Sequence, residues 1–157
     1  MVNLKNTIWI VPPKDLFAFS FEKNLYTPIL DQTVWTIDNQ EGNYFFGYAY
    51  INIAGIYSKN YLTGSILPNN NVQINFQDVT KDSSVVGVGK FEKCKFQMQM
   101  ITSKNFYIEP QTIHASYMVK TKKGEKCFEK LPGSDKFNDG KFLSVPEFII
   151  KCDEAIK

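Results

Sequence analysis

The sequence predicts an all-β fold: a single antiparallel up-and-down β-barrel of about eight strands, closed off by a C-terminal amphipathic helix. Three observations carry this prediction. Runs rich in β-branched and aromatic residues recur through most of the chain, and turn residues separate them. The intervals are too short for βαβ crossovers. An antiparallel sheet must protect its unpaired edges, and closure into a barrel is the economical solution. A β-sandwich is the alternative architecture.

The elements follow in order. "TIWIV" (7–11) is a strand that stops at Pro12-Pro13. Residues 14–30 mix a helical turn near Asp15 with the alternating Phe17, Phe19 and Phe21, and read as an irregular, partly extended cap. "TVWTID" (33–38) is a strand ending in the turn-rich "DNQEGN". "YFFGYAYINI" (44–53) is a strand with two apolar faces, ending near Gly55. Its small and aliphatic face (Phe45, Gly47, Ala49, Ile51) is predicted to point inward. That leaves Tyr44, Tyr48 and Tyr50 as an outer aromatic row, fit for a partner or for a packed helix. "YLTGSIL" (61–67) ends at "PNNN", a strong turn signal.

Residues 71–78 alternate Val72, Ile74 and Phe76 with Gln73, Asn75 and Gln77. Residues 84–92 and 95–102 continue the pattern, the latter alternating Phe96, Met98 and Met100 with Gln97 and Gln99. In both amide-bearing strands the apolar set should face the core and the amides water. Residues 112–120 alternate Ile113, Ala115, Tyr117 and Val119 with His114, Ser116, Met118 and Lys120. "EKCFEK" (125–130) reads as a last short strand across a Lys-Gly turn.

"SVPE" (144–147) is a capping box with Pro146 in the first turn, where a missing N–H costs little. Val145, Phe148, Ile149, Cys152 and Ile156 then form one apolar stripe at helical spacing. This helix should lie on the outside of the barrel or across one end. The organisation is one domain over 1–157: strand and cap (1–32), barrel (33–130), loop (131–143) and helix (144–157).

Gly47, Gly64, Gly87 and Gly89 sit inside strands, as expected where strands bend or backbones approach closely. A barrel of this kind followed by a helix resembles the calycin layout of lipocalins and avidins. The resemblance is one of layout only. The lipocalin signature opens Gly-x-Trp, and here Thr33 and Val34 precede Trp35.

Composition narrows the function. The chain has 157 residues, 43% of them hydrophobic, and a formal net charge of +2. Every basic residue is Lys, which removes the usual bidentate reader of guanine and phosphate, so no nucleic-acid partner is expected. No apolar run is long enough for a transmembrane helix. "MVNLKNTIWIVPPKD" is not a signal peptide, so the compartment stays open: secreted or periplasmic if a leader has been removed, cytoplasmic otherwise. Cys94, Cys127 and Cys152 fit no metal-binding spacing, and both a bridge and three free thiols remain open. No cofactor or metal is expected, and the oligomeric state is not readable.

The leading function is that of a non-catalytic binding protein whose barrel interior or mouth takes an apolar or aromatic small molecule. An eight-stranded barrel either fills with side chains or holds one small ligand. Trp35, Phe45, Phe76, Phe96, Met98, Met100 and Tyr117 are the candidate ligand-binding residues. The alternative is a protein-interaction module, secreted if a leader has been removed, using Tyr44, Tyr48 and Tyr50 with Lys122, Lys123 and Lys126 of a Lys-rich hairpin. An enzyme using His114 comes third. Ser116 lies two residues along the strand, roughly 7 Å away and too far for a direct hydrogen bond. "GVGKF" (87–91) lacks the Ser or Thr of a phosphate-binding loop.

Overall fold

The computed structural model describes residues 2–15, 18–20, 25–27, 31–53, 55–102 and 112–157; side chains are described for 2–14, 32–53, 55–100 and 118–157. The described residues form ten strands: β1 (Thr7–Ile10), β2 (Ala18–Ser20), β3 (Leu25–Thr27), β4 (Asp31–Glu41), β5 (Tyr44–Ile53), β6 (Ile56–Ile66), β7 (Asn71–Asp78), β8 (Ser84–Glu92), β9 (Lys95–Thr102) and β10 (Thr112–Thr121). Two α-helices follow, α1 (Lys126–Glu129) and α2 (Val145–Ala155).

Eight of the strands form a closed antiparallel up-and-down barrel in the order β1-β4-β5-β6-β7-β8-β9-β10, and β10 returns to β1. The closing pairs are Ile8–Thr121, Trp9–Lys120 and Ile10–Val119. Earlier along β10, the β2–β3 hairpin takes the place of β1, through Ser20–Thr112 and Phe19–Ile113. The fold class read from the sequence therefore holds.

The two faces of the wall follow the period-two pattern. Phe45 and Ala49 of β5, Val72, Ile74 and Phe76 of β7, and Phe96 and Met98 of β9 are buried inside with Trp9 and Trp35. Gln73 and Asn75 point out to solvent, as alternation requires. At the end of β10 it is Met118 that enters the interior, while Val119 packs outside.

Two strand glycines are needed because backbones come too close for a side chain. A Cβ on Gly47 would strike the Thr36 carbonyl, and one on Gly89 would strike the Gln97 carbonyl. Gly47 sits where the β4–β5 register shifts between Ile37 and Asn39, a bulge that bends the wall.

Two elements differ from the sequence reading. β6 begins at Ile56, earlier than expected, because Gly55 (φ +86°) makes a tight turn and lets Ile56 pair with Ile53. Residues 126–129 are a helical turn and not a strand. Gly124 (φ +90°) redirects the chain, and the Glu125 carbonyl accepts from the Phe128 and Glu129 amides. Phe128 is thereby buried on the outside of the barrel, which a solvated hairpin would not achieve.

α2 lies against the outer face of β5 and β6. Its buried stripe of Val145, Phe148 and Cys152 joins Ile10, Val34, Tyr50, Phe128, Leu131 and Leu143 in a second apolar layer. The capping box is complete: the Glu147 amide donates to Ser144 Oγ, and the Ser144 amide donates to Glu147 Oε2 at 2.7 Å. The Ser144 hydroxyl donates to the same oxygen at 2.8 Å. No described helix is long and apolar enough to cross a membrane.

Two outcomes are expected. Gly47→Ala and Gly89→Ala should each lower the unfolding free energy by at least about 1–3 kcal/mol in denaturant titrations, the cost typical of overpacking. Gly140→Ala, in open space, should show only the smaller penalty of its left-handed backbone. The second concerns acid. Hydrogen bonds from the Ser144 backbone and hydroxyl hold Glu147 below the ordinary carboxylate range. A lowered folded pKa gives stability that is present above the unfolded value and is lost as pH falls through the folded one. The stability deficit of Glu147→Gln, measured at neutral pH, should therefore shrink at acid pH; a deficit independent of pH would show that the carboxylate charge plays no part.

Candidate functional site

The barrel has two unlike ends. At one end the turns are tight, with Gly42–Asn43 joining β4 to β5 and Lys93–Cys94 joining β8 to β9. At the other end, where β9 stops at Thr102 and β10 starts at Thr112, the strands are further apart in sequence, except at the tight β5–β6 turn at Gly55; this is the long-loop end.

Aromatic rings fill the tight-turn end. Phe96 is their centre, with ring centroids 4.7 Å from Trp9, 4.9 Å from Phe91, 5.5 Å from Trp35 and 5.9 Å from Phe45. The Phe45 ring lies flush on Gly64, leaving no space there for a Cβ. These contacts are edge-on or tilted, the favoured arrangements for aromatic pairs. The interior at this end is a packed core.

Toward the long-loop end the wall is lined by smaller and more flexible groups. Ala49 and Gly87 are buried, Met98 packs against Gly87 and Gly89, and Ile51, Val85 and Met100 belong to the interior but stay half-buried. Trp35 stands between the two regions, 5.5 Å from Phe76 on one side and 5.5 Å from Phe96 on the other. It is wholly buried, yet its Nε1 has no hydrogen-bond partner among the described residues. Trp9 is satisfied, its Nε1 donating to Thr7 Oγ1 at 2.8 Å.

The structure thus gathers Trp35, Phe45, Phe76, Phe96 and Met98 inside, with Met100 at the rim of this region. Tyr117 and His114 have described backbones, opposite Gln97 and Met100 in the β9–β10 register. Their side chains lie outside the described residues. Tyr44 is exposed, Tyr48 half-buried and Tyr50 covered by α2. Lys122, Lys123 and Lys126 are exposed, but they follow β10, and β1 and β4 separate that strand from the tyrosines of β5. The lysines and the tyrosines do not form one surface.

Two arrangements had no signal in the sequence. Gln32 is wholly buried: its amide nitrogen donates to the Val11 and Pro132 carbonyls, and its oxygen accepts from the Val11 and Thr33 amides. It ties three distant segments together. Lys59 on β6 reaches Asp153 on α2 at 2.7 Å, with Nζ 4.4 Å from the Tyr48 ring centroid and 5.3 Å from that of Tyr50. Burial alone would lower the Lys59 pKa, but the Asp153 hydrogen bond and the nearby tyrosines raise it overall. Burial raises the pKa of Tyr50 against the opposing pull of Lys59. Beneath the helix, burial pushes the Cys152 thiol up to about 12. These pairings join positions far apart in sequence, so no spacing rule could reveal them.

A cleft of about 280 Å³ lies on the outer wall, lined by Pro12, Lys14, Glu92, Lys93, Lys95, Gln97 and Val119. It contains none of the residues singled out for ligand binding. Among the described residues, no three His, Cys, Asp or Glu side chains gather as metal ligands would. Comparison with protein-family models, curated sequences and solved structures finds no match to this chain.

The three cysteines are all free thiols and differ in access. Cys94 is exposed and should react with a thiol reagent within the mixing time at mildly alkaline pH. Cys152 should react only as fast as α2 detaches, since thiolate is the reactive form and burial suppresses it. In Lys59→Ala, which removes the tether to Asp153, the slow Cys152 phase should accelerate while the Cys94 phase stays unchanged.

Proposed function

We propose that this protein is a non-catalytic binding protein that takes a small apolar or aromatic molecule at the long-loop end of its barrel, in a calycin-like manner. The observation that carries the reading is Trp35. Its indole N–H is buried inside the barrel without an acceptor among the described residues, an arrangement that costs about 1–3 kcal/mol. A ligand with one acceptor atom on an apolar body would recover that cost while covering Ile51, Val85 and Met100. The two thioethers suit such a ligand, because methionine side chains repack around different shapes. The aromatic packing around Phe96 bounds the site from below, so the ligand is small.

The test uses the two indole N–H resonances in nitrogen-15 spectra. On titration with decanoic acid or acetophenone, each bearing one acceptor, the Trp35 signal should shift and the Trp9 signal, already bonded to Thr7, should not. Met100→Trp, which fills the half-buried rim, should abolish the shift while preserving cooperative unfolding. If a wider panel of fatty acids and aromatic carbonyl compounds leaves the Trp35 signal in place, the reading is wrong.

A further inference from the structure

A different feature stands on the outer wall. Across β5, β6, β7 and β8 the register sets the outward residues in three rows of four: Tyr44, Ser65, Gln73, Val88; Phe46, Thr63, Asn75, Val86; and Tyr48, Tyr61, Gln77, Ser84. None of these carries a charge, in a chain with 22% charged residues and on the wall that faces water. Five of the ten large hydrophobic side chains exposed among the described residues fall here: Tyr44, Phe46, Tyr61, Val86 and Val88.

Read along the strands, the same residues make columns of unequal height. β6 contributes the short Ser65 and Thr63. On one side rise the Tyr44 and Phe46 rings of β5, 61% and 44% exposed, and on the other the amides of Gln73 and Asn75. The two walls are about 9–10 Å apart, twice the strand spacing. Tyr61 closes one end, its ring tilted against that of Tyr48 with centroids 5.6 Å apart. Gln77 is already committed, donating to the Lys81 carbonyl.

The register points to a binding site for a neutral oligosaccharide along β6, with Tyr44 and Phe46 as a stacking wall and Gln73 and Asn75 as a hydrogen-bonding wall. A pyranose ring has an apolar C–H face that suits an aromatic ring and a rim of adjacent hydroxyls. A planar amide offers a donor and an acceptor side by side, which matches two neighbouring hydroxyls. The hydroxyls of Ser65 and Thr63 on the floor both donate and accept. A charged ligand would lose hydration here and find no counter-charge among these twelve residues. Of the charges at the edges, Lys59 beside Tyr48 is already paired with Asp153, and Glu41 stands opposite Tyr44 at the far corner. The middle of the wall therefore selects against ionic partners. The site is on the opposite side of the wall from the proposed ligand at Trp35, and neither depends on the other.

The experiment is a titration of the nitrogen-15-labelled protein with cellohexaose, maltohexaose and xylohexaose in turn. At least one should perturb backbone amides centred on Phe46, Thr63 and Asn75, with an affinity unchanged by added salt, since no ion pair contributes. Phe46→Ala and Asn75→Ala, both outward-facing, should keep the wild-type unfolding midpoint and weaken binding about tenfold. Thr63→Trp, which fills the floor, should abolish binding. The proposal is overturned by no perturbation from any of the three at about 10 mM, a concentration that would detect even millimolar affinity. It is equally overturned by perturbations centred elsewhere, or by wild-type affinity in a folded Phe46→Ala or Asn75→Ala protein.

Discussion

The structure depends on one short seam. β1 is only four residues long, yet it pairs with β4 on one side and β10 on the other, and so closes the eight-stranded wall into a barrel. Closure separates an inside from an outside. Once Trp9 is held opposite Trp35 across the β1–β4 register, every second residue of the wall must enter the interior. The aromatic cluster, the half-buried rim and the polar outer columns all inherit their positions from that parity.

The seam also explains why the outside carries a second apolar layer. Ile8 and Ile10 of β1 point away from the interior, as do Val34 and Tyr50 further along the wall. Left bare, they would expose an apolar strip beside the closing strand. The segment after β10 covers it, with Phe128, Leu131 and Leu143, and α2 completes the cover. The capped C-terminal helix is thus part of how the barrel protects its seam, and Tyr50 of β5, with Tyr48 partly buried beside it, is used for this purpose.

Much of this was legible in the sequence, for a reason that can be named. Alternation in β7 and β9 pairs aliphatic or aromatic residues with amides, so the inward set could be assigned residue by residue. β5 was harder because both faces are apolar. Its small residues decided the matter, since Gly47 and Ala49 belong where another backbone or ring approaches. Ser144 to Glu147 announced α2 through local hydrogen bonds alone. What could not be read was set by contacts between distant segments. Residues 125–130 have strand-like composition, but burial of Phe128 against the outer layer makes them helical. Gln32, and Lys59 with Asp153, look like ordinary polar surface residues until the fold brings their partners. At the candidate site, the identity of the aromatic residues was visible. That Trp35 would find no acceptor among the described residues was not, because satisfaction of a donor is a property of the packed interior.

The turn between β8 and β9 has a consequence of another kind. Its two residues, Lys93 and Cys94, both adopt left-handed backbone angles, φ +51° and +56°, with no glycine to ease them. Such a conformation costs roughly 1–2 kcal/mol per ordinary residue. Against the 5–15 kcal/mol that typically separates folded from unfolded chains, that is a sizeable fraction. The hairpin therefore holds an unused reserve of stability at a solvent-facing tip, far from the interior. An engineer could draw on it without disturbing either wall of the barrel, and over evolutionary time it marks a position where sequence could drift toward greater robustness at no cost in packing.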